Sequence, residues 1–256
     1  MKMSEVTHKY LRSINGSHKY QLTVASNLKR AQAFFGNPDI SEINTAMVED
    51  FVCSLKRTLK PSSVNRVTCN IHSLLKYAYD REWIFKMPKV SWQKEDNERV
   101  RWLAPEEEEK LLSLLPEQTA AFCEVLLHTG MRRGELLSLN KDNVDGDYIR
   151  LWKTKNGKAR SVPMSKKAKE LVNQYVPFNL SISQLNRDWN KAKKEMGLEH
   201  DTDFVLHTLR HTTATRMLER TGNIAIVQRM LGHAKIQTTM RYAHISDQQL
   251  LAAVQQ

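Results

Sequence analysis

Leu206-His207-Thr208-Leu209-Arg210-His211-Thr212 concentrates two imidazoles and a guanidinium within one short stretch. On a helix, His207 and Arg210 stand three positions apart and share a face. A fixed cation beside proton-carrying rings suits a phosphate better than a packed core. Two other stretches carry the same chemistry. Upstream, Thr129-Gly130-Met131-Arg132-Arg133-Gly134-Glu135-Leu136 sets arginines directly after a helix break, where free backbone amides also attract anions. Downstream, Leu231-Gly232-His233 is followed, nine residues after that His, by Tyr242 within Arg241-Tyr242-Ala243-His244.

Between these stretches the apolar period changes. Tyr148-Ile149-Arg150-Leu151-Trp152 and Arg160-Ser161-Val162-Pro163 read as strands, and Lys153-Thr154-Lys155-Asn156-Gly157-Lys158 joins them through an Asn-Gly hairpin signal. A basic residue is thereby placed at a hairpin tip. Helices flank this hairpin: one opened by Ala104-Pro105 and four glutamates, whose carboxylates suit the positive end of a helix dipole, one over Thr119 to Thr129, and one over Arg132 to Leu139. Gly130 separates the last two. After the hairpin the helical pattern resumes, with breaks at Pro177, Gly197, Gly222 and Gly232.

The first ninety residues read as helices separated by short polar breaks. Val24, Leu28, Ala31 and Phe35 mark a helix over Thr23 to Phe35, stopped by Gly36-Asn37-Pro38. Met47, Phe51 and Leu55 mark a second over Thr45 to Leu59, with Thr45 as its cap, and a third follows Pro61-Ser62 through Val64, Val67, Ile71, Leu74, Leu75 and Ala78. From Pro88 to Arg101 the chain is polar and without a sustained apolar period, which reads as a linker. The expected division is a helical domain over 1–90, a linker over 91–101, and a domain over 102–256. The expected fold class is mainly α with a small β-sheet.

Of 256 residues, 39 are Lys or Arg and 28 are Asp or Glu, a formal net charge of +11, so polyanions are attracted and nucleic acid is the leading partner. Residues 1–100 hold 16 basic against 10 acidic side chains and the remainder 23 against 18, so neither half is a mere basic tail. Cys53, Cys69 and Cys123 are odd in number and lack Cys-x-x-Cys spacing, which argues against a disulfide framework or a cysteine zinc site. No apolar stretch approaches a membrane span and the N-terminus has no apolar signal core, so a cytoplasmic location is expected.

A scissile phosphodiester gains negative charge as its phosphorus becomes five-coordinate. Without a metal, fixed cations must meet its equatorial oxygens, and planar, permanently charged guanidiniums do this bidentately. Tyrosine can be the nucleophile, but with a pKa of about 10 it needs a base or a cationic field to assist it.

In order and spacing, Thr-Gly-Met-Arg-Arg-Gly-Glu-Leu, the basic hairpin, His-Thr-Leu-Arg-His-Thr, Leu-Gly-His and the Tyr nine residues on resemble the tyrosine recombinase, or phage integrase, family. The resemblance covers roughly residues 100–245; ahead of the linker it rests on helical content and position. It implies an N-terminal helical core-binding domain and a mixed α/β catalytic domain. It also implies roles: Arg132 and Arg210 as phosphate clamp, Tyr242 as nucleophile, and His207 and His233 as further active-site positions for transition-state contacts and proton handling. Lys155 matches the hairpin general acid in a Lys-x-Gly-Lys-x-Arg-x-Val-Pro pattern, with Lys153 and Lys158 as neighbouring alternatives. Glu135 matches an acidic position of structural support, and His211 is read as a structural partner.

What the resemblance implies about activity is cleavage and rejoining of double-stranded DNA through a 3′-phosphotyrosyl intermediate, with no cofactor and no metal. It further implies a homotetramer synapsing two DNA sites, an open clamp on each duplex, and a DNA-bending accessory protein as a possible partner. Integration or excision of a mobile element is the leading role and dimer resolution the alternative within the family. Some integrases carry a further N-terminal domain for arm-type sites, whereas this chain begins almost at the core-binding helices; if complete it resembles the two-domain members, and if it is part of a longer chain the alternative is an arm-binding domain ahead of it. Other classes fit the sequence less well. A non-catalytic regulator using Ile224 to Tyr242 as a helix-turn-helix leaves the arginine motifs unexplained. A metal-dependent nuclease lacks its Asp/Glu cluster, and zinc on His207 and His211 would be repelled by Arg210. A DNA-relaxing topoisomerase shares the cleavage chemistry and differs in strand exchange. The tail from Ile245 to Gln256, with Leu250, Leu251 and Val254 on one helical face, is expected to pack on its own domain or on a neighbouring protomer.

Overall fold

The computed structural model describes residues 1–95, 100–152 and 159–243. Lys155 with the rest of the hairpin tip, and the tail from Ile245 to Gln256, lie outside the described residues. The chain divides into two compact units, Met1–Asp96 and Asn97–Gln256.

The first unit is built from four α-helices: α1 (Met3–Ser13), α2 (His18–Phe35), α3 (Thr45–Lys56) and α4 (Pro61–Tyr79). Ser17 caps α2 by accepting from the Tyr20 amide, and Gly36 closes it in the left-handed region at φ 74°. Pro61 opens α4, where its fixed φ suits the first turn and its missing N–H costs nothing. The α4 stripe Val64, Val67, Ile71, Leu74, Leu75 and Ala78 is buried and packs with Met3 and Val6 of α1, Val24 and Leu28 of α2, and Phe51 and Leu55 of α3. Two details differ from expectation. Asn44, not Thr45, caps α3, because its short amide reaches the Met47 amide at 3.1 Å while the Thr45 hydroxyl accepts from the Lys89 amide at 3.1 Å. The buried stripe of α3 accordingly runs Val48, Phe51, Val52 and Leu55, with Met47 half-buried.

The second unit continues with α5 (Pro105–Leu114), α6 (Glu117–Thr129) and α7 (Arg133–Leu137), then three strands, β1 (Val144–Asp145), β2 (Tyr148–Leu151) and β3 (Arg160–Pro163). They form one antiparallel sheet in the order β1-β2-β3, with Tyr148 opposite Pro163 and Leu151 opposite Arg160. There follow α8 (Lys166–Tyr175), α9 (Ile182–Glu195), α10 (His207–Thr221), α11 (Ile224–Leu231) and α12 (Gln237–Met240). The architecture is therefore mainly helical with a small sheet, as the periodicity indicates. Phe122, Val125 and Leu126 of α6 lie in the centre of the core, among Ile149 and Val162 of the sheet, Val172 of α8, Trp189 of α9 and Leu209 of α10. The glutamates opening α5 have structural tasks: Glu107 accepts from the Ala104 amide and pairs with Arg101, and Glu108 pairs with Arg216. No described helix is long and apolar enough to cross a membrane.

Candidate active site

Three chain segments converge because one buried arginine ties them together. Gly130 ends α6 at φ 62° and Gly232 ends α11 at φ 66°, so each helix stops with carbonyls lacking an intrahelical partner. Arg210, in the first turn of α10 and only 2% exposed, donates through Nη1 to the Gly130 carbonyl and through Nη2 to the Leu231 carbonyl at 2.7 Å. A cation at the negative ends of two helices is favoured by their dipoles as well as by the hydrogen bonds. The approach is close: a Cβ on Gly130 would stand 2.8 Å from Leu231 Cδ2. Burial, ahead of the nearby charges of Arg132 and Arg160, pushes the Arg210 pKa down to about 10, which leaves it cationic at neutral pH.

Arg132 stands at the N-terminus of α7. Its backbone N–H donates to Glu135 Oε2 at 2.8 Å and its Nη1 to Oε1 at 2.9 Å. The same carboxylate receives a forked pair from Arg160 of β3, Nη1 to Oε1 at 2.9 Å and Nη2 to Oε2 at 2.8 Å. Burial opposes ionisation of Glu135, but the hydrogen bonds from Arg160 and the Arg132 amide outweigh it and hold its pKa below the usual carboxylate range.

Tyr242 follows α12 and is 5% exposed, packed with Val100, Ala214, Val227 and Leu231. Its hydroxyl lies 2.7 Å from His211 Nδ1, and the His211 ring meets His207 edge-on at 4.8 Å between centroids. Desolvation comes first in lowering the imidazolium pKa of all three histidines, and neighbouring charge adds to it. For His211 the neighbours are the His207 ring and the cations Arg241 and Arg210, and the value falls to about 3. His207, although open to solvent on one side, falls to about 4 among Arg210, Arg132, Arg241 and Arg133. His233, also at about 4, feels Arg210 and Arg132, and its Nδ1 lies 2.9 Å from Thr239 Oγ1. All three rings are neutral at neutral pH, and in the tautomer with its proton on Nε2 His211 accepts from the phenol through Nδ1. Burial raises the Tyr242 pKa, against the lowering effect of Arg210 and Arg241.

Arg132, His207, Arg210, His233 and Tyr242 thus come together in the second unit, close enough to influence one another electrostatically. Lys155 is not among the described residues. The segment considered as a helix-turn-helix is built into this cluster: Val227 and Leu231 of α11 pack on Tyr242, and α12 is four residues long. Sequence reasoning passed over two participants, Arg160 and the direct partnership of His211 with Tyr242. A signal for Arg160 existed, since it shares the inward strand face with buried Val162, and an arginine facing a core calls for a buried carboxylate.

The family model described as the Phage integrase family matches residues 101–249. The integrase of Escherichia phage P2 is 27% identical over 241 residues, covering 90% of this chain and 70% of that protein. The Tn1549 transposon integrase, solved in complex with circular intermediate DNA, superposes with a TM-score of 0.79 at 19% identity over 100% of both chains. A lambda integrase tetramer bound to a Holliday junction superposes with a TM-score of 0.78 at 17% identity, over 92% of this chain and 78% of that one. Arginines gathered around a tyrosine, on this fold and with this family match, have one reading: the chain belongs to the phage integrase family and is a site-specific tyrosine recombinase.

Proposed function

We propose that the protein cleaves duplex DNA by attack of the Tyr242 hydroxyl on a scissile phosphorus, integrating or excising a mobile element. The new bond is Tyr242 Oη to phosphorus and the broken bond is phosphorus to the 5′ oxygen. A 3′-phosphotyrosyl ester and a 5′ hydroxyl result. Arg132 and Arg210 neutralise the equatorial oxygens, the phenol proton leaves to a neighbouring imidazole, and Lys155 supplies the proton to the departing 5′ oxygen. His207 and His233 donate further contacts to the phosphate. Attack of a partner strand's 5′ hydroxyl on the ester reverses these changes, so the bond energy is retained and neither ATP nor a metal is consumed.

The observation that carries this reading is the buried Arg210, fixed between two helix ends beside a tyrosine whose hydroxyl already has a proton acceptor 2.7 Å away. At 5% exposure the phenol is shielded in the free protein, so engagement of DNA has to bring it out to the phosphate. The leading role draws on the P2 integrase, alike over 90% of this chain. DNA complexes among the structural neighbours support duplex DNA as the partner, and the lambda assembly on a Holliday junction supports four protomers on two sites. Residues 1–90 and 102–256 act as two DNA-binding domains on one duplex, and the positive excess of both halves predicts steep salt dependence. The protein works in the reducing cytoplasm, where its three free cysteines persist.

The test begins with a duplex recovered from a randomised library by binding to Tyr242→Phe. Nicked near its centre, it is incubated with wild-type protein and no divalent metal, then resolved on a denaturing gel. A covalent protein–DNA adduct is expected with wild type and none with Tyr242→Phe at equal binding. Adduct formation by Tyr242→Phe overturns the nucleophile assignment.

A further inference from the structure

Glu135 is the one carboxylate that the structure sets within the arginine cluster among the described residues, and its acceptor positions are full. A carboxylate offers about four in-plane lone-pair sites. The Arg132 amide, Arg132 Nη1, Arg160 Nη1 and Arg160 Nη2 take them, all between 2.8 and 2.9 Å. The Arg160 side chain is 12% exposed and the Glu135 side chain 9%, so water competes little for either. Arg160 is also wedged on its other side, since a Cβ on Gly232 would stand 2.8 Å from its Cδ and 2.9 Å from both Nε and Nη1. The residue following that glycine is His233.

We propose that Arg160 is a positioning residue for DNA cleavage: by saturating Glu135 it restricts that carboxylate to a single bond with the Arg132 guanidinium, leaving the remaining Arg132 donors for the scissile phosphate. The proposal rests on the reading of Arg132 as a phosphate clamp. If Arg160 is removed, the freed oxygens of Glu135 turn to the nearest cation, Arg132, and draw its fork away from the DNA. Gly232, lacking a Cβ, lets the Arg160 side chain lie close against the turn that leads to His233.

Single-turnover adduct formation is measured on the nicked duplex selected with Tyr242→Phe, for Arg160→Met, Arg132→Ala and the double variant. Arg160→Met is expected to slow cleavage roughly 10- to 100-fold, the usual effect of losing a residue that orients an active-site group, while binding of the same duplex is unchanged. Within Arg132→Ala, adding Arg160→Met changes the rate by no more than about twofold, because its effect passes through a side chain already gone. Multiplicative losses in the double variant would refute the positioning role while leaving the clamp reading intact. Wild-type rates for Arg132→Ala would instead remove the clamp reading itself. Should Arg160→Met not fold, Arg160→Lys keeps the charge without the forked pair; it is expected to lose most of the same rate, and full activity in that variant also overturns the proposal.

Discussion

The hydroxyl of Tyr242 and Nδ1 of His211, thirty-one residues apart in sequence, are hydrogen-bonded at 2.7 Å, the phenol buried and the imidazole half-buried. Burial keeps His211 neutral, with its pKa near 3, and keeps the phenol protonated, so a single hydrogen bond joins two uncharged groups. Removing one partner strands the other. His211→Leu is expected to destabilise the catalytic unit by about 1–3 kcal/mol, the cost of a buried polar group left unpaired. In a Tyr242→Phe background the same change should cost much less, since both polar atoms are then gone. Equal costs in the two backgrounds, measured by urea unfolding, would contradict this pairing.

Protons should destabilise the fold across a defined window. His211 and His233 titrate near 3 and 4 in the native protein against an ordinary 6.5, because burial and then neighbouring charges disfavour their imidazolium forms. Above pH 6.5 both native and unfolded chains hold neutral rings, and these groups contribute no slope. As pH falls from about 6.5 to about 4, the unfolded chain binds protons that the native chain refuses, and stability declines. Urea midpoints at pH 7.5 and pH 5 test this. His211→Gln should flatten part of the slope, and an unaltered slope in that variant would assign it to other groups.

Arg210 cannot be replaced conservatively. Lysine keeps the charge but lacks the fork that reaches the Gly130 and Leu231 carbonyls together. Arg210→Lys should lose about 3–4 kcal/mol of transition-state stabilisation and also about 1–3 kcal/mol of fold stability, from a carbonyl left unpaired. Adduct rates and thermal unfolding should therefore fall together. A variant slow in cleavage but fully stable would show that the backbone anchors are energetically minor.

Gly130→Ala should be costly for two separate reasons. The position has φ 62°, which costs an alanine about 1–2 kcal/mol, and the added methyl would sit 2.8 Å from Leu231 Cδ2. Leu231→Ala in the same chain should recover the steric part only. Complete recovery would mean that the backbone conformation is not the constraint.

Periodicity made α4 and the central catalytic helices legible, because their apolar positions recur without interruption. It missed α1, where Lys2 offers no side-chain cap and only Met3, Val6 and Tyr10 mark the apolar face among polar neighbours. It also missed β1, whose two residues are shorter than any alternation can register. In the candidate site, the residue types and their order pointed to phosphate chemistry. What holds them did not, for a simple reason: Arg210 is anchored by main-chain carbonyls, which have no letter in a sequence, and His211 finds its partner only after the chain has turned through α11 and α12.

Those main-chain anchors set which kinds of sequence change the clamp tolerates. Every residue type carries a carbonyl, so side chains along α6 and α11 can drift without untying Arg210, provided the backbone path is kept. An inserted or deleted residue between Thr129 and Arg132, or between Leu231 and His233, moves a carbonyl by a residue's length and leaves the guanidinium reaching for nothing. Arg210 and the two glycines apart, these turns are thereby lenient toward substitution and strict about length, and divergence there has to run through changes of residue type rather than changes of spacing.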